Sequence, residues 1–441
     1  MERKEFTRRR KRLMDIMNIG SIAILPASQV RSRNNDVEYP YRPDSDFYYL
    51  TGFPEPEAVA VMIPDRQHGE FILFCREKDP EMETWHGRRA GLEKAIEYYD
   101  ADDAFPIADI DEILPGLIEN KDRVFYNMGT DPEFDQRVQG WVNQVRGKAR
   151  TGVTAPEEFI SLGHALHELR LFKSRGEIKA MRRAAKISAK AHARAMKQCR
   201  PGMKEYQIEA ELLHEFMKQG CRSPAYPSIV GGGANGCILH YTENSDALND
   251  GDLLLIDAGA EHDYYASDIT RTFPINGVFS KEQKILYEIV LKAQEAAIEK
   301  VQPGNYWNDP HDAAIRELTM GLKEIGILKG RLPTLIKNEA YKRFYMHRTG
   351  HWLGMDVHDV GDYKVDGEWR MLEPGMVLTV EPGLYITEQS RGVAKKWWNT
   401  GIRIEDDVLV TKTGHDILSK DAPKTVAEIE AIMNSNEKTS N

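Results

Sequence analysis

Cysteine is scarce in this chain: Cys75, Cys199, Cys221 and Cys237 are the only four, and no two form a C-x-x-C pair. That excludes a disulfide framework or a zinc knuckle and fits a reducing compartment. No apolar run approaches the length of a membrane span. Positive charge is in deficit. The net charge of −10 argues against nucleic acid as the main partner, and bound divalent metal would offset part of it. Several catalytic signatures are missing too. There is no G-x-S-x-G nucleophile elbow and no zincin H-E-x-x-H. Gly231-Gly232-Gly233 is not followed by the Lys-Thr or Lys-Ser pair of a phosphate loop, so it reads as a turn where backbone passes close to something. The basic cluster Arg8-Arg9-Arg10-Lys11-Arg12 lacks a following apolar core, because Asp15 and Asn18 interrupt; it reads as a solvated helix face rather than a signal peptide. A cytoplasmic protein is expected.

What is present is a pair of acid-tipped apolar segments. Leu253-Leu254-Leu255-Ile256 ends in Asp257, and Met376-Val377-Leu378-Thr379-Val380 ends in Glu381. Gly251 and Gly375 precede them at equal distance, and Gly259 and Gly383 follow at equal distance. An acid closing a buried strand is costly unless a cation or donor meets it. Asp268, Glu405 and the histidine-rich stretch His347 to His358 lie nearby in sequence. Four carboxylates exceed the need of one divalent ion and suit two ions that share bridging carboxylates. A mostly oxygen donor set with one imidazole, His351, favours manganese, magnesium or iron(II), with zinc or cobalt as alternatives. Arg403 and Glu405 are two apart on an expected strand and share a face, with Ile402 and Ile404 on the buried side. Asp268, Thr270 and Thr272 likewise share a face. A Cys237 nucleophile beside His240 is weakly supported.

Two domains are expected, 1–172 and 173–441. The first alternates strands (Ser21 to Leu25, Ala58 to Ile63, Glu70 to Cys75) with helices (Ile110 to Ile118, Pro132 to Val145), as in a small α/β domain. The second opens with a helix from Gly176 to about Cys199. A further helix follows, with Ile208, Leu212, Leu213, Phe216 and Met217 as its apolar face. The order helix, Pro-Gly, helix, glycine turn, acid-tipped strand occurs twice, with Pro201-Gly202 and Pro303-Gly304 as markers. That indicates an internal duplication.

These residues carry a resemblance. Gly236 to Asn244 (GCILHYTEN), Leu255 to Gly259 (LIDAG), Ser267 to Pro274 (SDITRTFP), His351 to Gly361 (HWLGMDVHDVG), Leu372 to Gly383 (LEPGMVLTVEPG) and Gly401 to Asp407 (GIRIEDD) resemble the aminopeptidase P group of pita-bread metallopeptidases. Asp36 to Arg42 and Tyr49 to Phe53 resemble it too, so the similarity spans nearly the whole chain. The resemblance implies an α+β protein with a duplicated pita-bread domain after a smaller α/β domain. It implies two divalent ions, manganese first. Asp257 would bind one ion, His351 and Glu381 the other, and Asp268 and Glu405 both. The implied reaction removes the residue before a proline in second position, by attack of a metal-bridged hydroxide. Glu381 would relay a proton, His240 and His358 would contact substrate, and His347 and Arg403 would shape the site. Arg370 and Tyr363 complete the expected substrate-binding set. Trp85 resembles a tryptophan that reaches a neighbouring subunit's active site, so a homo-oligomer, dimer or tetramer, is expected. Arg348-Thr349-Gly350 departs from the pattern between His347 and His351. Prolidase is the nearest alternative; a non-catalytic peptide-binding relative is a more distant one.

Overall fold

The apolar segments of the first part of the chain pair into one six-stranded mixed sheet. Its order is Asp103–Pro106, Phe71–Cys75, Val59–Met62, Ser21–Pro26, Arg123–Phe125, Glu158–Ile160. The structure is a computed structural model that describes residues 1–388 and 390–435. Ile22, Ile24, Val61, Ile72 and Phe74 of the sheet pack with Leu114, Ile118, Trp141 and Val142 from the helices Ile110–Ile118 and Pro132–Gly147. The second helix starts where Asp131 accepts from the backbone N–H groups of Glu133 and Phe134, with Pro132 in its first turn.

The Arg3–Met17 helix corrects one expectation. Its basic cluster is not simply solvated: Arg9 and Arg10 are buried. They donate to the carbonyls of Tyr49 at 3.0 Å and Leu50 at 2.9 Å. Those carbonyls lie in and near the last turn of the Ser45–Thr51 helix, where C=O groups lack helical partners. Each guanidinium also sits over a ring, Tyr49 at 4.0 Å and Phe71 at 4.1 Å.

The chain divides into two units, Met1–Leu169 and Arg170–Asn441. The second unit is built twice over. The Arg175–Gln198 helix, opened by a Ser174–Glu177 capping box, leads through Pro201-Gly202 to the Glu205–Lys218 helix and the Leu253–Asp257 strand. The Lys281–Ile298 helix leads through Pro303-Gly304 to the Asp309–Glu324 helix and the Val377–Val380 strand. The turns match in detail. Gly202 and Gly304 adopt φ of +89° and +88°, and their N–H groups donate to the equivalent carbonyls of Leu248 and Leu372. Gly251 and Gly375 also take positive φ ahead of the two acid-tipped strands.

Two expectations need adjustment here. Met217 is 64% exposed, so the buried face of the Glu205–Lys218 helix is Ile208, Leu212 and Phe216. Arg403 and Glu405 do not share one strand. Thr400–Arg403 pairs with Gly383–Ile386, whereas Asp406–Val410 pairs with Val377–Val380. Glu405 lies at the switch between the two ladders, where its N–H donates to the Thr270 carbonyl at 3.1 Å. The triple glycine does allow a close backbone approach. A Cβ on Gly231 would lie 2.9 Å from the Asn235 carbonyl carbon.

Candidate metal centre

Asp257 ends its strand opposite Thr270 of the Thr270–Pro274 strand. Asp268 comes just before that strand, and its N–H is held by the Asp407 carboxylate at 3.1 and 3.3 Å. Glu381 follows the Val377–Val380 strand, its N–H bonded to the Thr349 carbonyl at 2.8 Å. The strands of both halves thus aim their terminal acids into one place. Asp268, His351 and Glu405 each place one ligand atom within 4.8 Å of the others. His351 Nε2 lies 3.4 Å from Asp268 and 3.9 Å from Glu381. Its Nδ1–H donates to the Trp352 carbonyl at 2.9 Å, which leaves Nε2 as the nitrogen facing the acids.

Asp257 is joined to this group by two donors. Arg403 Nη2 donates to its Oδ2 at 2.7 Å and the Tyr226 hydroxyl donates to its Oδ1 at 2.6 Å. The same hydroxyl lies against Asp268 in a very short contact. One proton serves one of the two carboxylates at a time. Arg403 continues to the Thr270 hydroxyl at 3.1 Å and to the Tyr385 hydroxyl at 3.0 Å. Tyr385 meets His347 Nε2 at 2.8 Å, while His347 Nδ1–H donates to the Arg348 carbonyl at 2.7 Å. Arg403, Tyr385 and His347 therefore form one directed chain. Thr270 also donates to Glu405 at 2.7 Å.

The electrostatics are those of crowded, desolvated acids. Burial pushes Glu381 up to about 7, against the pull of His351 and Arg403. Burial, reinforced by Asp268, Glu381 and Asp257, drives Glu405 well above the carboxylate range. Asp257 is raised by burial despite Arg403. Burial opposes charge on Asp268 and on His351 as well. There their mutual contact prevails: Asp268 is lowered, and His351 is raised to about 9. Four acids that repel one another's charge around an imidazole fit divalent cations, whose charge would let all four ionise.

The remaining expected residues sit around this cluster. His358 meets the His351 ring edge-on at 4.3 Å, and it is lowered by burial and by His351. His347 is lowered to about 4 by burial and Arg403. The exposed His240 is close enough that its charge weighs on both His347 and His358. Tyr363 reaches the site through Trp352, on which it stacks at 5.7 Å, and Arg370 follows through its N–H to the Tyr363 carbonyl. Trp85 lies in the other unit, 76% exposed on the Pro80–His86 helix, which has no buried residue.

Sequence reasoning missed Tyr226, Tyr385 and Asp407 as site residues; Thr270, expected on a polar face with Asp268, joins Arg403 to Glu405. Tyr226 precedes the Ile229–Gly232 strand, whose pairing of Ile229 with Asp257 brings it to the acids. Only that pairing, not local sequence, could have exposed it. Asp407 follows Glu405 closely but serves the Asp268 backbone.

The profile of metallopeptidase family M24 matches residues 179–412, and that of the aminopeptidase P N-terminal domain matches residues 6–126. The chain belongs to the aminopeptidase P branch of family M24. It is 46% identical to the Xaa-Pro aminopeptidase of Escherichia coli strain K12 over 98% of both chains. It is 45% identical to that of Haemophilus influenzae, again over 98% of each. The Pseudomonas aeruginosa aminopeptidase PepP structure superposes with a TM-score of 0.98 at 60% identity, covering 99% of both chains. A zinc-substituted E. coli aminopeptidase P in complex with product superposes with a TM-score of 0.96 at 46% identity, covering 99% of each. The M24 match covers most of the duplicated unit and includes all five candidate ligands. No helix among the described residues is long and apolar enough to cross a membrane.

Proposed function

We propose that this protein is a dinuclear-metal Xaa-Pro aminopeptidase, with catalysis in the C-terminal unit. The observation that carries this reading is the convergence of four acids, Asp268 and Glu405 buried and Asp257 and Glu381 half-buried, and one imidazole from both halves of a duplicated M24 unit. Asp257, Asp268, His351, Glu381 and Glu405 would hold two ions, with Asp268 and Glu405 shared. Manganese is the proposed metal, because hard oxygen donors outnumber the single nitrogen; zinc and cobalt are the alternatives. When bound, such a pair polarises the scissile carbonyl and makes water acidic near neutral pH.

The chain's own residues do the rest. Arg403 and Tyr226 fix Asp257, and the free amine of the substrate lies on that side. Glu381 carries a proton towards the departing proline nitrogen. His358, beside His351, donates to the carbonyl oxygen as charge develops there. His240 and His347 wall the proline, whose nitrogen has no N–H in the substrate and needs no acceptor. Arg370 and Tyr363 belong to the wall beyond. Trp85 reaches the site of a second copy in a dimer or tetramer. Four free cysteines, three of them buried, fit a cytoplasmic setting.

The test is hydrolysis of Xaa-Pro dipeptides against Xaa-Pro-Yaa peptides by protein stripped of metal and reloaded with defined ions. Cleavage of the longer peptides at least as well as the dipeptides is expected. Activity confined to dipeptides would make the protein a prolidase, and peptide binding without turnover under every metal would make it a non-catalytic relative.

A further inference from the structure

Glu205 is the first residue of the Glu205–Lys218 helix, and its side chain is completely buried. A carboxylate removed from water needs strong partners. Here they are four neutral donors. Oε1 accepts from the Gly232 N–H at 2.8 Å and from Asn235 Nδ2 at 3.0 Å. Oε2 accepts from the Tyr241 hydroxyl at 2.8 Å and from the Asp246 N–H at 2.9 Å. All four donors belong to the segment 232–246, which starts at the last residue of the Ile229–Gly232 strand, has one 3-10 turn, Gly233–Cys237, and enters no further strand before Leu253. Such a segment has few backbone bonds of its own to define it. Glu205 gathers both of its ends and its middle onto one group.

His240 lies in this segment, next to Tyr241. Tyr241 is buried with Ile229, Leu255 and Tyr385, so its ring and hydroxyl are both fixed. We infer that Glu205 is a positioning residue that holds His240 towards the substrate through Tyr241 and the 232–246 segment. This rests on the reading of His240 as a substrate contact. An amide could not replace the carboxylate. If the nitrogen of a glutamine took the Oε1 position, it would face the Gly232 N–H; in the Oε2 position it would face the Asp246 N–H. Tyr241 can turn to suit a flip, and Asn235 only by giving up its 2.9 Å bond to the Asp246 carboxylate, but a backbone N–H cannot turn at all. One buried donor is left facing another in both cases.

The test uses the full-length, metal-loaded enzyme. Glu205→Gln is expected to lower kcat/KM for an Xaa-Pro-Yaa peptide by about 10²-fold, the scale of a small misplacement of a positioned group. Metal content should be unchanged. In a His240→Ala background the same substitution should have no further effect. Equal losses in both backgrounds would overturn the proposal, because Glu205 would then act by some route other than His240. Tyr241→Phe removes one donor and keeps the other three. It supplies a second variant should Glu205→Gln fail to fold, with a smaller loss that must also vanish without His240. In the zinc-loaded enzyme, which is diamagnetic, the imidazole NMR signals of His240, identified by their disappearance in His240→Ala, give a readout independent of turnover. They should move or broaden in either variant. Unmoved signals would overturn the positioning role while leaving the peptidase reading intact. Moved signals in a protein that cleaves no Xaa-Pro peptide would sustain the positioning role and sink the peptidase reading.

Discussion

Replacing Asp406 with asparagine should destabilise the C-terminal unit more than any surface substitution could. Asp406 and Arg271 are both fully buried and bonded at 2.8 Å. The Asp406 carboxylate also accepts from Ser419 at 2.7 Å, Gln294 at 2.8 Å and Lys424 at 2.9 Å. Arg271 gives its remaining donors to the carbonyls of Thr270, Glu405, Ala422 and Pro423. Burial opposes the charge on Asp406, but Arg271 and Lys424 hold its carboxyl well below the usual range. Breaking such a pair from one side leaves a buried, uncompensated cation, at a cost of about 3–5 kcal/mol. That is a large share of the roughly 5–15 kcal/mol by which a typical protein is stable. The sign of the pH dependence follows from the lowered value. Asp406 binds its proton less readily folded than unfolded, so its contribution is complete above about pH 3.9 and fades as the pH falls below that. Urea unfolding of wild type and Asp406→Asn should therefore differ most near neutrality and converge in acid. Because Arg271 also grips the Glu405 carbonyl, metal affinity should drop by about 10–100-fold. A loss of no more than about 0.5 kcal/mol, the scale of an ordinary surface change, would refute this account of the network.

Asp268→Asn should lose at least one ion and nearly all activity, because an amide lacks the charge a shared carboxylate gives two cations; full metal occupancy with near-normal turnover would remove Asp268 from the ligand set. His358→Ala should lower kcat by about 10²–10³-fold with metal retained; lost metal at unchanged kcat would make His358 a support for the ions instead. Trp85→Ala should raise KM without unfolding the chain, and a fully active monomer, sized and assayed at one low concentration, would contradict its role at a second copy's site.

The duplication was legible because its marks are local: two Pro-Gly turns and two apolar strands that end in acids. Asp257 and Glu381 stood out for the same reason, since an acid closing an apolar strand is conspicuous, whereas Asp268, His351 and Glu405 were drawn in as candidates by their nearness in sequence and by the family resemblance. What escaped were partners made by pairing. Tyr226 comes to Asp257 only because Ile229 pairs with it, and Glu405 leaves the line of Arg403 only because the two flanking strands choose different neighbours. Arg9 and Arg10 escaped for another reason. A basic run reads as solvated until carbonyls at the end of a second helix, and a pair of rings, turn out to cover it.

The shared origin of the ligands has a consequence for how the protein is made. The first half of the duplicated unit brings Asp257 and Asp268, and the second brings His351, Glu381 and Glu405. Neither half can complete the set. A nascent chain that has emerged as far as Asp268 has nothing to close around metal. With these residues as the proposed ligands, the set would stay incomplete until Glu405 has left the ribosome and reached Thr270. On the proposed ligand set, metal capture would be coupled to the docking of the two halves, and retention of the ions would mark a chain that has finished folding.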